Sequence, residues 1–189
     1  MDKIIGLALV FLTVGGVWYF ITLYNGMVGL RNDVDKAWAN LDVMLKQRHD
    51  ELPRVVEVCQ GYMNYERDTL EKVTEARSLY QQAASVDQKA QADRSTTTAL
   101  RGLFAVAERY PDLKANNNFM QLQRRISELE DQIADRREFY NDAVKNFNVR
   151  IQQIPDTVVA GFMNVRPRPM IKVEDSDRAP IAIAMGAGG

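Results

Sequence analysis

Residues 4–24 contain no Asp, Glu, Lys or Arg, whereas beyond Arg31 the chain is largely polar, with stripes of apolar side chains that recur every three or four positions. The first pattern predicts a helix that spans a membrane: at about 1.5 Å per residue, a run of this length crosses the roughly 30 Å hydrocarbon core of a bilayer. Three residues precede it. Trp18, Tyr19 and Tyr24, with Phe20 among them, mark its far end as a membrane interface, where amphipathic rings settle at headgroup level. A cleaved signal would have a shorter apolar stretch and a small-x-small site, so the run reads as a retained anchor. Lys3 and the α-amine on one flank are balanced by Arg31 and Lys36 on the other, which leaves the side of the soluble part open.

The second pattern predicts amphipathic helices. Val34, Trp38, Leu41 and Leu45 step by four and three, the pattern skips Arg48, and it resumes at Leu52, Val55, Cys59 and Tyr62. This is a bundle or coiled-coil seam. Pro53 lies inside it and is expected to kink or interrupt the helix. Gly61 is a second weak point. Leu70, Val73, Ala76, Tyr80 and Ala83 continue the phase, so this stretch is either one long kinked helix or two that reverse near Gly61. Ser85-Val86-Asp87-Gln88 has the form of a capping box and opens the next helix. That helix carries Ala92, Ala99, Leu103, Val106 and Tyr110 and is expected to end at Pro111. Asn116-Asn117-Asn118 reads as a loop and N-cap. Phe119, Leu122, Ile126, Leu129, Ile133, Tyr140, Ala143 and Phe147 then define the most regular stripe in the chain, broken at Arg136 and closed by Pro155. Residues 156–162 have the pattern of a short amphipathic helix. Arg166-Pro167-Arg168-Pro169 is held extended by its prolines, and Met170, Ile171 and Val173 form a segment with strand potential for pairing with another chain.

The fold class that follows is all-α: one N-terminal transmembrane helix and an antiparallel, up-and-down bundle of long helices, three or four in number by periodicity. The organisation is a tail at 1–3, the span at 4–24, the bundle at 25–162 and an extended Pro- and Gly-containing tail at 163–189. A formal net charge of -1 with interspersed acids and bases gives no electrostatic footprint for nucleic acid. The single cysteine, Cys59, excludes an intramolecular disulfide and reads as a small core residue.

One histidine, His49, with no Glu three residues before it, does not fit the paired Glu-x-x-His of a di-iron bundle or a zinc H-E-x-x-H motif. No phosphate-binding glycine loop and no G-x-S-x-G nucleophile motif occur. His49, Asp50 and Glu51 are adjacent on a helix and point about 100° apart, so they do not converge. Arg48 and His49, at the edge of the seam, read as a polar interruption that sets register, with a pH switch or ligand contact as the other reading. Asp33, Asp35 and Asp42 read as a solvated helix face before a cation site. Trp38 and the tyrosines at 62, 65, 80, 110 and 140 read as bundle packing.

A broader resemblance rests on particular residues. Tyr24-Asn25, Arg31-Asn32, Val34-Asp35, Ala37-Trp38-Ala39-Asn40-Leu41-Asp42-Val43 and Leu45-Lys46-Gln47-Arg48-His49-Asp50 with Leu52-Pro53 form an opening signature similar to that of the LemA family. Tyr110-Pro111-Asp112-Leu113-Lys114-Ala115, Phe119, Leu122-Gln123, Arg136-Arg137, Tyr140-Asn141 and Asn146-Phe147-Asn148 continue it. The resemblance covers about residues 4–162. It implies a bacterial membrane protein with one N-terminal span and an antiparallel bundle, four helices being favoured. It implies no established enzymatic activity, no cofactor and no catalytic residues to carry over. The tail after residue 162 departs from the family pattern.

The functional expectation is a non-enzymatic, membrane-anchored scaffold in the cell (inner) membrane, single-pass, that self-associates or organises partners. No catalytic, cofactor or metal residues are assigned. Its expected partners are the lipid bilayer, further copies of itself and other membrane proteins, and not nucleic acid. The candidate interaction residues are Trp38, Met170, Ile171 and Val173. The alternative is an adaptor or regulator of another membrane complex, such as a membrane protease or quality-control factor.

Overall fold

The computed structural model describes residues 1–63 and 65–172, and among these the structure is all-helical with no strand. Six helices follow in order: α1 (Asp2–Gln60), α2 (Arg67–Gln82), α3 (Val86–Ala107), α4 (Pro111–Lys114), α5 (Asn117–Arg150) and α6 (Asp156–Phe162). α1 contains the one helical stretch among the described residues that is long and apolar enough to cross a membrane, and none of that stretch is buried by the rest of the chain.

α1 runs through Pro53 without interruption, so of the expected kink or interruption the interruption does not occur. Proline removes one i→i−4 hydrogen bond and crowds the carbonyl one turn back. Here the ring faces solvent, and the neighbours that hold the helix are inside: Leu52, Val55 and Cys59 are all at most 1% exposed. Tertiary burial on both sides of Pro53 outweighs one missing bond.

The open question about Gly61 resolves as a reversal. The amides of Tyr62 and Met63 both donate to the Cys59 carbonyl, closing α1, and α2 returns so that Tyr80 comes alongside Asp42 and His49. The Ser85 box forms as expected: the Ser85 hydroxyl accepts from the Gln88 amide, and the Gln88 side chain accepts from the Ser85 amide. Pro111 does not end α3, which stops at Ala107. It opens α4 at the first helical position, where the lost N–H would have had no partner anyway. Asn116 caps α5, its side-chain oxygen accepting from the amides of Asn118 and Phe119.

The chain divides into two compact units. One contains Met1–Asn40 and Glu138–Met170. Its interior holds Met27, Val34, Tyr140, Val144, Phe147, Ile151 and Val159, with Trp38 half-buried and edge-on to Tyr140 at 5.6 Å. The other contains Leu41–Arg137. Leu52, Val55, Cys59 and Met63 of its first stretch share a core with Leu70 and Val73 of α2, Leu100 and Leu103 of α3, Leu113 of α4 and Phe119 and Ile126 of α5.

The tyrosines divide more sharply than their shared pattern implies. Tyr140 is buried and Tyr80 and Tyr110 half-buried, but Tyr65 is 95% exposed because it falls in the α1–α2 turn and on no helix face. Tyr62, also in that turn, is partly exposed and accepts a hydrogen bond from Asn116.

Pro53→Ala is expected to stabilise the protein by about 1–3 kcal/mol, since it restores a helical donor at an exposed position in an unbroken helix. Guanidinium unfolding followed by circular dichroism measures it; a loss of stability would mean the helix depends on the proline's local geometry.

A sealed charge cluster as the candidate functional site

The chemistry-bearing residues of the second unit gather around Arg48. Its position is in phase with the apolar seam, three residues after Leu45 and four before Leu52, so the helix geometry drives it inward. The side chain is completely buried. A guanidinium taken out of water needs counter-charges and acceptors around it. α3 and α5 supply them. One terminal nitrogen, Nη2, donates to the Asp93 carboxylate and, at 3.2 Å, to the Asp93 carbonyl. The other, Nη1, donates to Glu130 and, at 3.0 Å, to the Thr97 hydroxyl. Arg137 of α5 donates to the second oxygen of Asp93. Two cations and two anions therefore balance. The side chains of Arg48 and Asp93 are at most 3% exposed, and Arg137 9%; Glu130, at 17%, is the edge nearest water.

Burial by itself would depress the Arg48 pKa, but the charges of Asp93 and Glu130 outweigh it, and the net shift is upward. The group stays charged at any accessible pH. It is a fixed electrostatic clamp and not a proton donor.

His49 stands beside it in a different state. Its ring stacks on Tyr80 at 3.8 Å between centroids and 14° between planes. Neither ring nitrogen has a hydrogen-bond partner among the described residues, nor does Arg48 Nε. Burial, then the positive charges of Arg48 and Arg77, push the His49 pKa down to about 3. The imidazole is neutral and acts as an aromatic plate. Tyr80 is anchored from beyond by Asp42, to which its hydroxyl donates at 3.0 Å and Lys89 at 2.6 Å. Burial, then the Asp42 charge, raise the Tyr80 pKa, so the phenol also remains protonated. Cys59 is buried in the core, and desolvation pushes its thiol up to about 12, away from reactive thiolate.

The cluster thus joins residues that the sequence reading scattered. Arg48 is at the centre of the seam, not at its edge. On α5 the buried basic residue is Arg137, at 7% exposure, while Arg136 faces solvent. Asp93 and Glu130 drew no notice because an acidic residue on an amphipathic helix ordinarily points outward. The available signal was phase: Arg48 and Arg137 both occupy stripe positions where a Leu or Ile would fit. His49, Asp50 and Glu51 do not converge, Asp50 facing solvent and Glu51 pairing with Arg54. Asp42 belongs to the Tyr80 anchor, Asp35 lies 3.5 Å from Arg168, and Asp33 is exposed. No grouping of His, Cys, Asp and Glu fit to hold a metal occurs among the described residues.

Of the other predicted site residues that the structure describes, Trp18, Tyr19, Tyr24, Trp38 and Met170 fall in the first unit and Ile171 in the second. Trp18, Tyr19 and Tyr24 are exposed on the apolar stretch of α1. Trp38 is partly covered by Tyr140. Met170 is half-exposed and Ile171 is buried; neither lies in a strand. Val173 lies outside the described residues.

Arg48→Met is expected to cost about 3–5 kcal/mol in equilibrium unfolding, because it leaves Asp93 and Glu130 undercompensated. Arg48→Lys should recover less than half, since one ammonium cannot reach acceptors on both sides as a planar fork does. Losses below 1 kcal/mol would show that water replaces the guanidinium and that the cluster is open.

His49 sets a pH dependence whose sign is fixed. Its pKa is near 6.5 unfolded and about 3 folded, so below pH 6.5 the unfolded chain binds a proton that the folded chain refuses. This contribution to stability is intact above pH 6.5 and declines toward pH 3. Between pH 7 and pH 5 the wild type should lose about 1–2 kcal/mol relative to His49→Phe. Parallel changes in the two proteins would place the histidine in water.

The family model described as LemA family matches residues 37–184. Protein LemA of Metamycoplasma hominis is 28% identical over 180 residues, covering 92% of this chain and 80% of that protein. Magnetosome protein MamQ 2 of Paramagnetospirillum magneticum is 24% identical over 184 residues, covering 84% of this chain and 68% of that protein. Magnetosome protein MamQ of Magnetospirillum gryphiswaldense is 21% identical, covering 75% and 63%. With its family match beginning at the Ala37-Trp38 signature and running through the clamp residues of α1, α3 and α5, the chain belongs to the LemA family.

Proposed function

We propose that this protein is a non-enzymatic, single-pass helical scaffold of the bacterial inner membrane, which self-associates or organises partners there. In this reading the unit spanning Leu41–Arg137 is an antiparallel four-helix bundle built from the end of α1, α2, α3 and the start of α5. The observation that carries the proposal is the closure of the charge cluster. The groups best suited to chemistry are sealed and held in unreactive states, whereas the largest exposed feature is the apolar run of α1. Such a distribution suits holding and anchoring better than turnover. Kinship with proteins named for the magnetosome supports work within a larger assembly.

Mass determination of the full-length protein in mild detergent tests this. A homogeneous multiple of the 21.5 kDa chain is expected. A monomer at all concentrations, recovered from native membranes with a stoichiometric foreign partner, would replace the scaffold with the adaptor reading. A monomer without such a partner would remove both.

A further inference from the structure

The first unit contains a feature that neither the anchor nor the scaffold reading uses. α6 exposes an apolar edge: Val158 is 57% and Phe162 78% exposed, one turn apart, and Ile154 just before the helix is 86% exposed. Its opposite side packs inward through Asp156, Val159 and Ala160, and Arg150 of α5 fixes Asp156 at 2.6 Å. Phe162 meets Phe20 edge-on at 6.0 Å, so α6 lies against the last turn of the apolar run. Burial on α1 begins at this same level, with Leu23 and Met27. An apolar helix edge continuous with a membrane span is a surface for lipid.

Directly after α6 the chain turns sharply. The Val165 amide donates to the Ala160 carbonyl and the Asn164 amide to that of Gly161, with Asn164 at φ 49°. This is the two-bond helix ending in which a left-handed residue, here asparagine in place of the usual glycine, redirects the backbone. The Arg166–Pro169 segment is then fastened to α5: Asn148 donates to the Arg168 carbonyl and accepts from the Arg168 amide, both at 2.8 Å, and the Tyr140 hydroxyl donates to the Pro169 carbonyl at 3.1 Å. The fastened segment and Arg31 of α1 border one recess of about 420 Å³, which brings Arg31, Arg166 and Arg168 to its rim. All three are exposed. Among the described residues only Arg168 meets a carboxylate, Asp35, at 3.5 Å. Arg31 lies about 10 Å beyond Tyr24 along the helix axis, at the outer edge of the headgroup layer, from which a long arginine side chain reaches back to the phosphates.

We propose that Arg31, Arg166 and Arg168 form a binding site for the phosphate of an anionic phospholipid, whose acyl chains lie along Val158 and Phe162 of α6. Guanidinium forks suit phosphate oxygens, and the double clamp from Asn148 holds Arg168, two residues after Arg166, on a pre-ordered backbone. The proposal rests on the reading that residues 4–24 span a bilayer. It gives the anchor a second contact with the membrane, made within the first unit.

Native mass spectrometry of the full-length protein, titrated with phosphatidylglycerol or phosphatidylcholine, tests it. The wild type is expected to retain one phosphatidylglycerol with about tenfold preference over phosphatidylcholine. Replacing all three arginines (Arg31→Gln, Arg166→Gln, Arg168→Gln) should abolish the preference, while Arg54→Gln should leave it intact. Asp35→Asn, which removes the competing carboxylate, should raise retention about threefold. Val158→Ser with Phe162→Ser should weaken both lipids alike. Equal retention of the two lipids by the wild type, or a preference that survives the triple change, overturns the site. Full displacement of phosphatidylglycerol by millimolar inorganic phosphate overturns the lipid assignment in favour of a free anion. Alkaline extraction of membranes separates the two readings. Protein released into the supernatant refutes the span itself, whereas protein that stays in the pellet yet shows no lipid preference refutes the headgroup site alone.

Discussion

Burying Arg48 constrains everything near it. A guanidinium at zero exposure is tolerable only if anions reach it from other parts of the chain. Asp93 and Glu130 come from helices 45 and 82 residues away in sequence. α1, α3 and α5 therefore have one alignment in which the cluster closes. Sliding any of them by a turn, about 5.4 Å, would strand a charge in the core. An apolar seam alone is permissive, because Leu and Ile pack in several registers at similar energy. The cluster converts that permissive seam into a specified one, the best-attested use of buried polar groups in helical assemblies.

α2 is attached by other means. It contributes no charge to the cluster and reaches α1 through the stacked ring of Tyr80 on His49, with Asp42 and Lys89 gripping the phenol from outside. Stacking is less direction-specific than an ionic fork. The two His49 nitrogens without a partner among the described residues are the penalty for placing an imidazole there, and burial with the charges of Arg48 and Arg77 keeps the ring neutral. Arg48 and His49 are sequence neighbours with opposite electrostatic fates. One is surrounded by carboxylates and keeps its charge; the other faces an aromatic plate and two guanidinium groups and gives its charge up.

The two units divide the work. Leu41–Arg137 holds the closed polar interior. Met1–Asn40 with Glu138–Met170 holds the apolar run, the exposed edge of α6 and the arginine-rimmed recess. Groups that could react are locked away in the first of these, and groups that can attract a membrane are displayed in the second.

Much was legible in the sequence because it is local. The charge-free run at residues 4–24, the three-four apolar steps, the Ser85–Gln88 box and the Asn116 cap each depend on residues within a turn or two. The placement of Pro53 and Pro111 was not legible. Whether a proline breaks a helix depends on how firmly its neighbours are buried, and that is a property of the packed core. Tyr65 looked like its fellow tyrosines until the α1–α2 turn placed it in water. The ionic cluster was least legible of all. Phase alone put Arg48 and Arg137 on inward stripes, but only three helices brought together supply the anions that make an inward arginine stable. Local hydrogen bonding and periodicity determine where helices form; long-range electrostatics and burial decide which face each turns inward, and those exist only once the chain has folded.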